Sequence, residues 1–245
     1  MPQPDLVIWP ESSIAMELRR VYHYLKEGAV ALEASGTPIM LGGYRNIGGR
    51  MFNSFMQASN PDKYYTKRHL IPFGEYTPDW PFIDLSQFLP EQDMDNLKEG
   101  LNQQSLISVA GVKLAVAICY EILFSEELRH DWKEATVLVY ISDLSWFKDT
   151  WASPQLLQMA QMRAIESGKP LVTSTNHGVT AIIDSHGVIT QRVEGEAGYI
   201  DGVIIPKSGS TPYTNYGSIY IVGLCFLFVL LGVFRALYVS ICRQN

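Results

Sequence analysis

Short runs rich in Val, Ile and aromatic residues recur along most of the chain: Asp5–Trp9, Pro38–Tyr44, Phe52–Ala58, Val112–Cys119, Thr136–Ile141, Leu171–Ser174, Val179–Asp184 and Ile200–Ile205. Most are bounded by Gly, Pro, Asn or Asp, the punctuation of β-strands. Between them, Ser13–Ser35 and Ser153–Ser167 space apolar residues three and four apart, the second through Leu156, Leu157, Met159, Ala160, Met162, Ala164 and Ile165, which predicts helices. Strands alternating with helices, together with hairpin-like pairs, predict a mixed α/β sandwich.

The pattern changes at Ser218. From there to Phe234 the chain runs 17 residues without a charge, then continues through Arg235 into a second apolar stretch, Ala236 to Cys242. The uncharged run alone makes about 26 Å of helix, and the next two turns bring it to the thickness of a hydrocarbon core. A helix apolar on every face has no side to show to water, so a membrane span is expected. Residues 1–212 then form the globular unit and 213–245 the transmembrane helix with a short tail.

Charge sharpens this division. Of the net charge of −6, the residues before Gly217 carry −8 and the rest +2. An acidic globular part argues against nucleic acid as a partner. Arg235 and Arg243 after the span, against Lys207 before it, place the C-terminus in the cytoplasm and the globular part outside. The opening residues MPQPDLVIWPES have neither a basic nor an apolar signal region. The expectation is therefore either export directed from elsewhere or a cytoplasmic domain on a tail anchor.

Candidate chemistry is sparse. The Gly-rich stretch Gly42 to Gly49 lacks a dinucleotide-binding order and reads as a hairpin connection. The five histidines form no close-spaced ligand pair, so no metal site is expected. Cys225 and Cys242 fall in the span, which leaves Cys119 alone in the globular part. Three features stand out: Trp9-Pro10-Glu11-Ser12-Ser13, the loop Lys67 to Tyr76 (KRHLIPFGEY), and Ile118-Cys119-Tyr120-Glu121. An unperturbed thiol is mostly protonated at neutral pH and needs a base or cation beside it. Glu11 could take its proton, and Lys67 could stabilise the thiolate and the oxyanion formed on attack at a carbonyl. Read singly, the same residues are a helix-start carboxylate, a solvated cation and a core thiol.

In this order, WPESS, KRHLIPFGEY and ICYE resemble the three catalytic motifs of the nitrilase superfamily of carbon–nitrogen hydrolases, which use a Glu–Lys–Cys triad in an αββα sandwich. HLIPFGEYTP, ICYEI, SDLSWF, QMAQMRAIESGKPLVTSTNHG and the hydrophobic span are more specific. They resemble the C-terminal half of the superfamily's bacterial apolipoprotein N-acyltransferase branch.

The resemblance implies an α/β fold, an N-terminally truncated nitrilase-like αββα sandwich followed by one transmembrane helix. It implies a two-step acyl transfer from a membrane phospholipid to Cys119 and then to the amine of a diacylglyceryl apolipoprotein, with no metal or organic cofactor. Glu11 would be the base, Lys67 the oxyanion stabiliser and Cys119 the nucleophile, with Glu75, Tyr120 and Glu121 in support. It implies the bacterial inner membrane, with the catalytic domain on the periplasmic side, and a separate N-terminal membrane half as a further partner. Trp80, within the aromatic stretch Pro78–Leu89, and Trp146 and Phe147 are candidate lipid-facing residues, since aromatic rings suit the membrane interface. Lys148 stands where the family has Gly, and His177 where it has Asn. A membrane-anchored amidase and an inactive binding subunit are the alternative readings.

Overall fold

The computed structural model describes residues 3–17, 20, 21, 28, 34, 36–78, 97–148, 150–195 and 198–244. Eleven strands are present among them: β1 (Val7–Ile8), β2 (Ile14–Glu17), β3 (Ile39–Ile47), β4 (Arg50–Gln57), β5 (Tyr64–Thr66), β6 (Ile107–Val109), β7 (Val112–Ile118), β8 (Val137–Asp143), β9 (Leu171–Asn176), β10 (Val179–Ile183) and β11 (Ile189–Glu194). Four α-helices accompany them: α1 (Ser125–Trp132), α2 (Ala152–Ser167), α3 (Pro212–Tyr216) and α4 (Ile219–Gln244).

The strands form two sheets. One runs β1-β3-β4-β5, with β2 also paired to β3; the other runs β11-β10-β9-β8-β7-β6. In the second, β7, β8 and β9 are parallel neighbours, with Ile118 opposite Ile141 and Asp143 opposite Asn176. Their carboxyl ends therefore lie side by side, where open parallel sheets bind ligands.

The sequence of β7, KLAVAI, explains why this sheet is central. Leu114, Val116 and Ile118 face the other sheet and pack with Met40, Phe55, Val139 and Ile141. Ala115 and Ala117 face outward, where their small side chains admit α1 and α2 through Leu128, Trp132, Leu157, Ala160 and Ala164. A strand covered on both faces reads as a continuous apolar run. The first sheet's outer face carries a third cluster, Ile39, Leu41, Met56 and Ala58 with Val21. Among the described residues, α1 and α2 cover the outer face of the second sheet, the first sheet packs on its inner face, and α4 stands outside these layers. Residues 219–236 of α4 form a helix long and apolar enough to cross a membrane, and none of that span is buried.

Two expectations are corrected. Ser13–Ser35 does not begin as a helix: Ile14 to Glu17 is β2, paired in parallel with β3 at Gly43 and Tyr44. Sheet pairing overrides the helix preference of Ala, Met and Glu there. Ile200–Ile205 forms no ladder among the described residues. Ile204 is partly buried against the cluster between the sheets, while Val203 and Ile205 face solvent. This side-chain alternation produces the strand pattern without a strand partner. The hairpin reading of the Gly-rich stretch holds at Gly48-Gly49, which connects Ile47 to Arg50 across β3 and β4.

Candidate active site

Glu11 follows β1, Lys67 follows β5 and Cys119 follows β7, and the sandwich brings all three to one end. Glu11 is buried, and its carboxylate is fully engaged. Oε1 accepts from Asn53 Nδ2 at 2.7 Å, Oε2 from the Asp143 backbone N–H at 2.8 Å, and Lys67 Nζ lies 3.7 Å from Oε1. Asn176 Nδ2 donates to the Glu11 carbonyl at 2.8 Å, so the end of β9 also holds this residue.

Lys67 is 1% exposed, which excludes the solvated-cation reading. Its ammonium meets both oxygens of Glu75, at 2.8 and 2.9 Å. Glu75 is anchored by the Ile71 N–H at 2.8 Å and Asn53 Nδ2 at 3.1 Å. One cation between two carboxylates stays protonated: burial lowers its pKa, but Glu11, Cys119 and Glu75 outweigh burial and raise it above the ordinary lysine value.

Cys119 is the first residue of a 3-10 turn, Cys119–Leu123, at the end of β7. Burial, and then the Glu11 charge, push its thiol up to about 12, against the opposing pull of Lys67 and the Ser142 hydroxyl. The resting group is therefore a protonated thiol. Glu11 is itself raised above 4.5, chiefly by burial and against the pull of Lys67. A carboxylate with raised proton affinity beside a protonated thiol suits proton transfer concerted with attack.

Glu121 joins the Lys67 loop to the Cys119 turn. Its Oε2 accepts from the Ile118 N–H at 2.7 Å, and its Oε1 accepts from Tyr65 Oη at 2.9 Å, the Arg68 N–H at 2.5 Å and the His69 N–H at 3.3 Å. Arg68 in turn pairs with Asp131 of α1. Tyr120 lies against Phe124 edge to face, with ring centroids 5.0 Å apart.

The backbone carries strain at the same end. Five described non-glycine residues have positive φ, and four of them flank these side chains: Ser12, Phe73, Cys119 and His177. Such conformations persist where the surroundings over-determine them, and they cluster at active sites. Gly42 is required by close approach. A Cβ there would stand 2.5 Å from the Pro10 carbonyl oxygen and 2.6 Å from Glu11 Cα. Gly42→Ala should push Glu11 off its partners, destabilise the fold by about 1–3 kcal/mol and slow iodoacetamide alkylation of Cys119 at neutral pH by about tenfold or more. Unchanged alkylation with a normal urea midpoint would show that the site tolerates the shift.

Trp146 and Phe147 form a short 3-10 turn after β8, and both are exposed, Trp146 at 87% and Trp151 nearby at 80%. They stand three and four residues beyond Asp143, which binds Glu11. Trp80, like the rest of its stretch after Pro78, lies outside the described residues. Sequence reasoning missed Asn53 and assigned Asn176 no role. Asn53 is an amide near the start of the strand-like run Phe52–Ala58, which marks a polar group in a strand but gives no sign of its partner.

The family model for carbon–nitrogen hydrolases matches residues 3–206. Apolipoprotein N-acyltransferase of Methylococcus capsulatus is 34% identical over 230 residues, covering 90% of this chain and 44% of that protein. The protein of the same name from Haemophilus influenzae is 34% identical over 239 residues, covering 93% of this chain and 46% of its own length. The chain thus spans less than half the length of these curated relatives. Among solved structures, a carbon–nitrogen hydrolase from Helicobacter pylori superposes with a TM-score of 0.59 at 17% identity, over 80% of this chain and 76% of that one, a likeness of fold. With the family matched across the whole sandwich, and Glu11, Lys67 and Cys119 gathered at one end of it, the chain belongs to the carbon–nitrogen hydrolase family.

Proposed function

We propose that this chain carries the acyl-transfer chemistry of lipoprotein maturation. Cys119 takes a fatty acyl group from a membrane phospholipid as a thioester and passes it to the terminal amine of a diacylglyceryl apolipoprotein, at the outer face of a bacterial inner membrane. The observation that carries this reading is the joining of a buried Glu11–Lys67–Cys119 cluster to an exposed apolar helix in one chain, in support of which stand relatives named apolipoprotein N-acyltransferase.

In the first step the Cys119 sulfur attacks the ester carbonyl as its proton moves to Glu11. Charge on the carbonyl oxygen is met by Lys67, with the Tyr120 backbone N–H as a second donor. The carbon–sulfur bond forms, the ester carbon–oxygen bond breaks, and the lysophospholipid hydroxyl leaves with the proton from Glu11. In the second step the amine attacks the thioester as Glu11 takes its proton, an amide bond forms, the carbon–sulfur bond breaks, and Glu11 passes that proton to the departing Cys119 sulfur. Glu75 and Glu121 hold Lys67 and the nucleophile turn in register. Trp146 and Phe147, both exposed, face the lipid. The partners are the two lipid substrates, the membrane and a separate membrane half, and the chemistry draws on no metal or cofactor.

The test is intact-mass analysis of the detergent-solubilised chain after incubation with phospholipid, with Cys119→Ala as blank. A hydroxylamine-sensitive gain of one acyl chain, chased to N-acyl product by a diacylglyceryl-cysteine peptide, is expected. Release of free fatty acid despite the peptide would favour an amidase-like hydrolase using water. A folded chain that gains no acyl group would sink the acyl-transfer reading.

A further inference from the structure

The segment leading to α4 is fastened to the helices behind the nucleophile turn. Lys169, buried after α2, donates to the carbonyls of Lys207 at 3.3 Å and Gly209 at 2.8 Å. Tyr213 Oη lies 2.7 Å from Ser125 Oγ at the start of α1.

The final link is Glu126, in the first turn of α1. Its Oε1 accepts from both the backbone N–H and the hydroxyl of Ser218, each at 2.8 Å. Its Oε2 accepts from Arg129 Nε at 2.7 Å, and Arg129 Nη1 donates to the Thr214 carbonyl at 3.2 Å. A carboxylate thus stands at the N-terminal end of the long apolar helix, where the helix dipole favours it.

Gly217 makes this contact available. It lies at φ 58°, ψ −142°, a conformation open essentially to glycine alone, and a Cβ there would stand 2.4 Å from one Glu126 carboxylate oxygen and 2.7 Å from the other. Only Gly217 and Ser218 separate α3 from α4, so no loop cushions the junction. On the other side, Phe124 alone separates α1 from the turn that begins with Cys119.

We propose that Glu126, seated against Gly217, is a positioning residue that sets the axis of α4 relative to the Cys119 turn, and so the height and tilt at which the cleft meets the bilayer. The consequence for turnover rests on the acyl-transfer reading; the fastening does not. The bonds are exposed and individually weak, and their effect is geometric. At 1.5 Å per residue α4 is about 39 Å long, so a tilt of about 20° at its root displaces its far end by about 13 Å.

The test uses the full chain in phospholipid vesicles. Nitroxides are placed at Glu134→Cys and Leu227→Cys, with Cys119, Cys225 and Cys242 replaced by Ala, and their separation is read by pulsed electron resonance. One narrow distance is expected. Glu126→Ala and Gly217→Ala should each broaden it about twofold, while Glu126→Gln, which keeps a carbonyl acceptor for Ser218, stays narrow. A distribution already broad with Glu126 in place, or one that neither replacement widens, overturns the proposal.

In unlabelled chains with all three cysteines present, Glu126→Ala should slow acylation of Cys119 from vesicle phospholipid about tenfold through KM, and leave its alkylation by iodoacetamide unchanged. Equal acylation in all variants despite broadened distances overturns the positioning role. If the unsubstituted chain takes no acyl group while the distances behave as stated, the fastening stands and the acyl-transfer reading falls.

Discussion

Replacing Lys67 with methionine should abolish acylation of Cys119 and weaken the whole fold. The lysine is the only cation within salt-bridge distance of Glu11 and Glu75 among the described residues, and it is 1% exposed. Methionine fills comparable volume but leaves two carboxylates facing a site closed to water. Breaking a buried ion pair from one side costs about 3–5 kcal/mol, enough to shift a urea midpoint well outside error. On the proposed acyl transfer, losing this oxyanion donor should slow the chemical step by a further factor of about 10²–10³. Arginine should not rescue it, because its planar fork does not fit a site built for a compact ammonium. A Lys67→Met chain that unfolds at the wild-type urea concentration and acylates within tenfold of wild type would refute the role given to this residue.

Glu11→Gln should slow acylation by about 10²–10⁴ and, more tellingly, change the shape of its pH profile. In the unsubstituted chain the rate falls as pH drops through the pKa of Glu11, because a carboxyl group already holding a proton cannot take the thiol's. Since that pKa is raised, the acid limb lies above 4.5. Without this base the reaction depends on spontaneous thiolate, whose pKa is about 12 with Glu11 present. Losing the Glu11 charge lowers that value but leaves burial, the larger cause, in place. The rate of Glu11→Gln should therefore climb about tenfold per pH unit through neutrality, with no acid limb, where the unsubstituted chain is flat. Parallel profiles for the two proteins would remove Glu11 from the proton transfer.

The sandwich was legible where burial dictates composition. KLAVAI in β7 and the apolar stripe of α2 face packed layers, so their residues could be little else. Elements whose existence depends on distant pairing were not legible. Ile14–Glu17 is helix-prone by content and becomes a strand only because Gly43 and Tyr44 offer it an edge, while Ile200–Ile205 has the pattern of a strand and no ladder among the described residues. The same division holds at the site. Glu11, Lys67 and Cys119 were marked by local wording and by resemblance, whereas their convergence is a property of the sheet register. Asn53 and the Asp143 amide, which aim Glu11, carry no local signal for that role because each belongs to a strand remote from it in sequence.

The Glu121 bracket has a bearing on how the protein survives oxidants. One buried carboxylate receives the amides of Ile118, Arg68 and His69, so the Cys119 turn and the Lys67 loop share an anchor. Fraying of either segment alone would strand that carboxylate with unmet bonds, which ties the two into a single opening unit. While closed, the unit keeps Cys119 a buried, protonated thiol, the form slowest to react with peroxide. Cys119, with no disulfide partner among the described residues, is thereby shielded by the contacts that aim it.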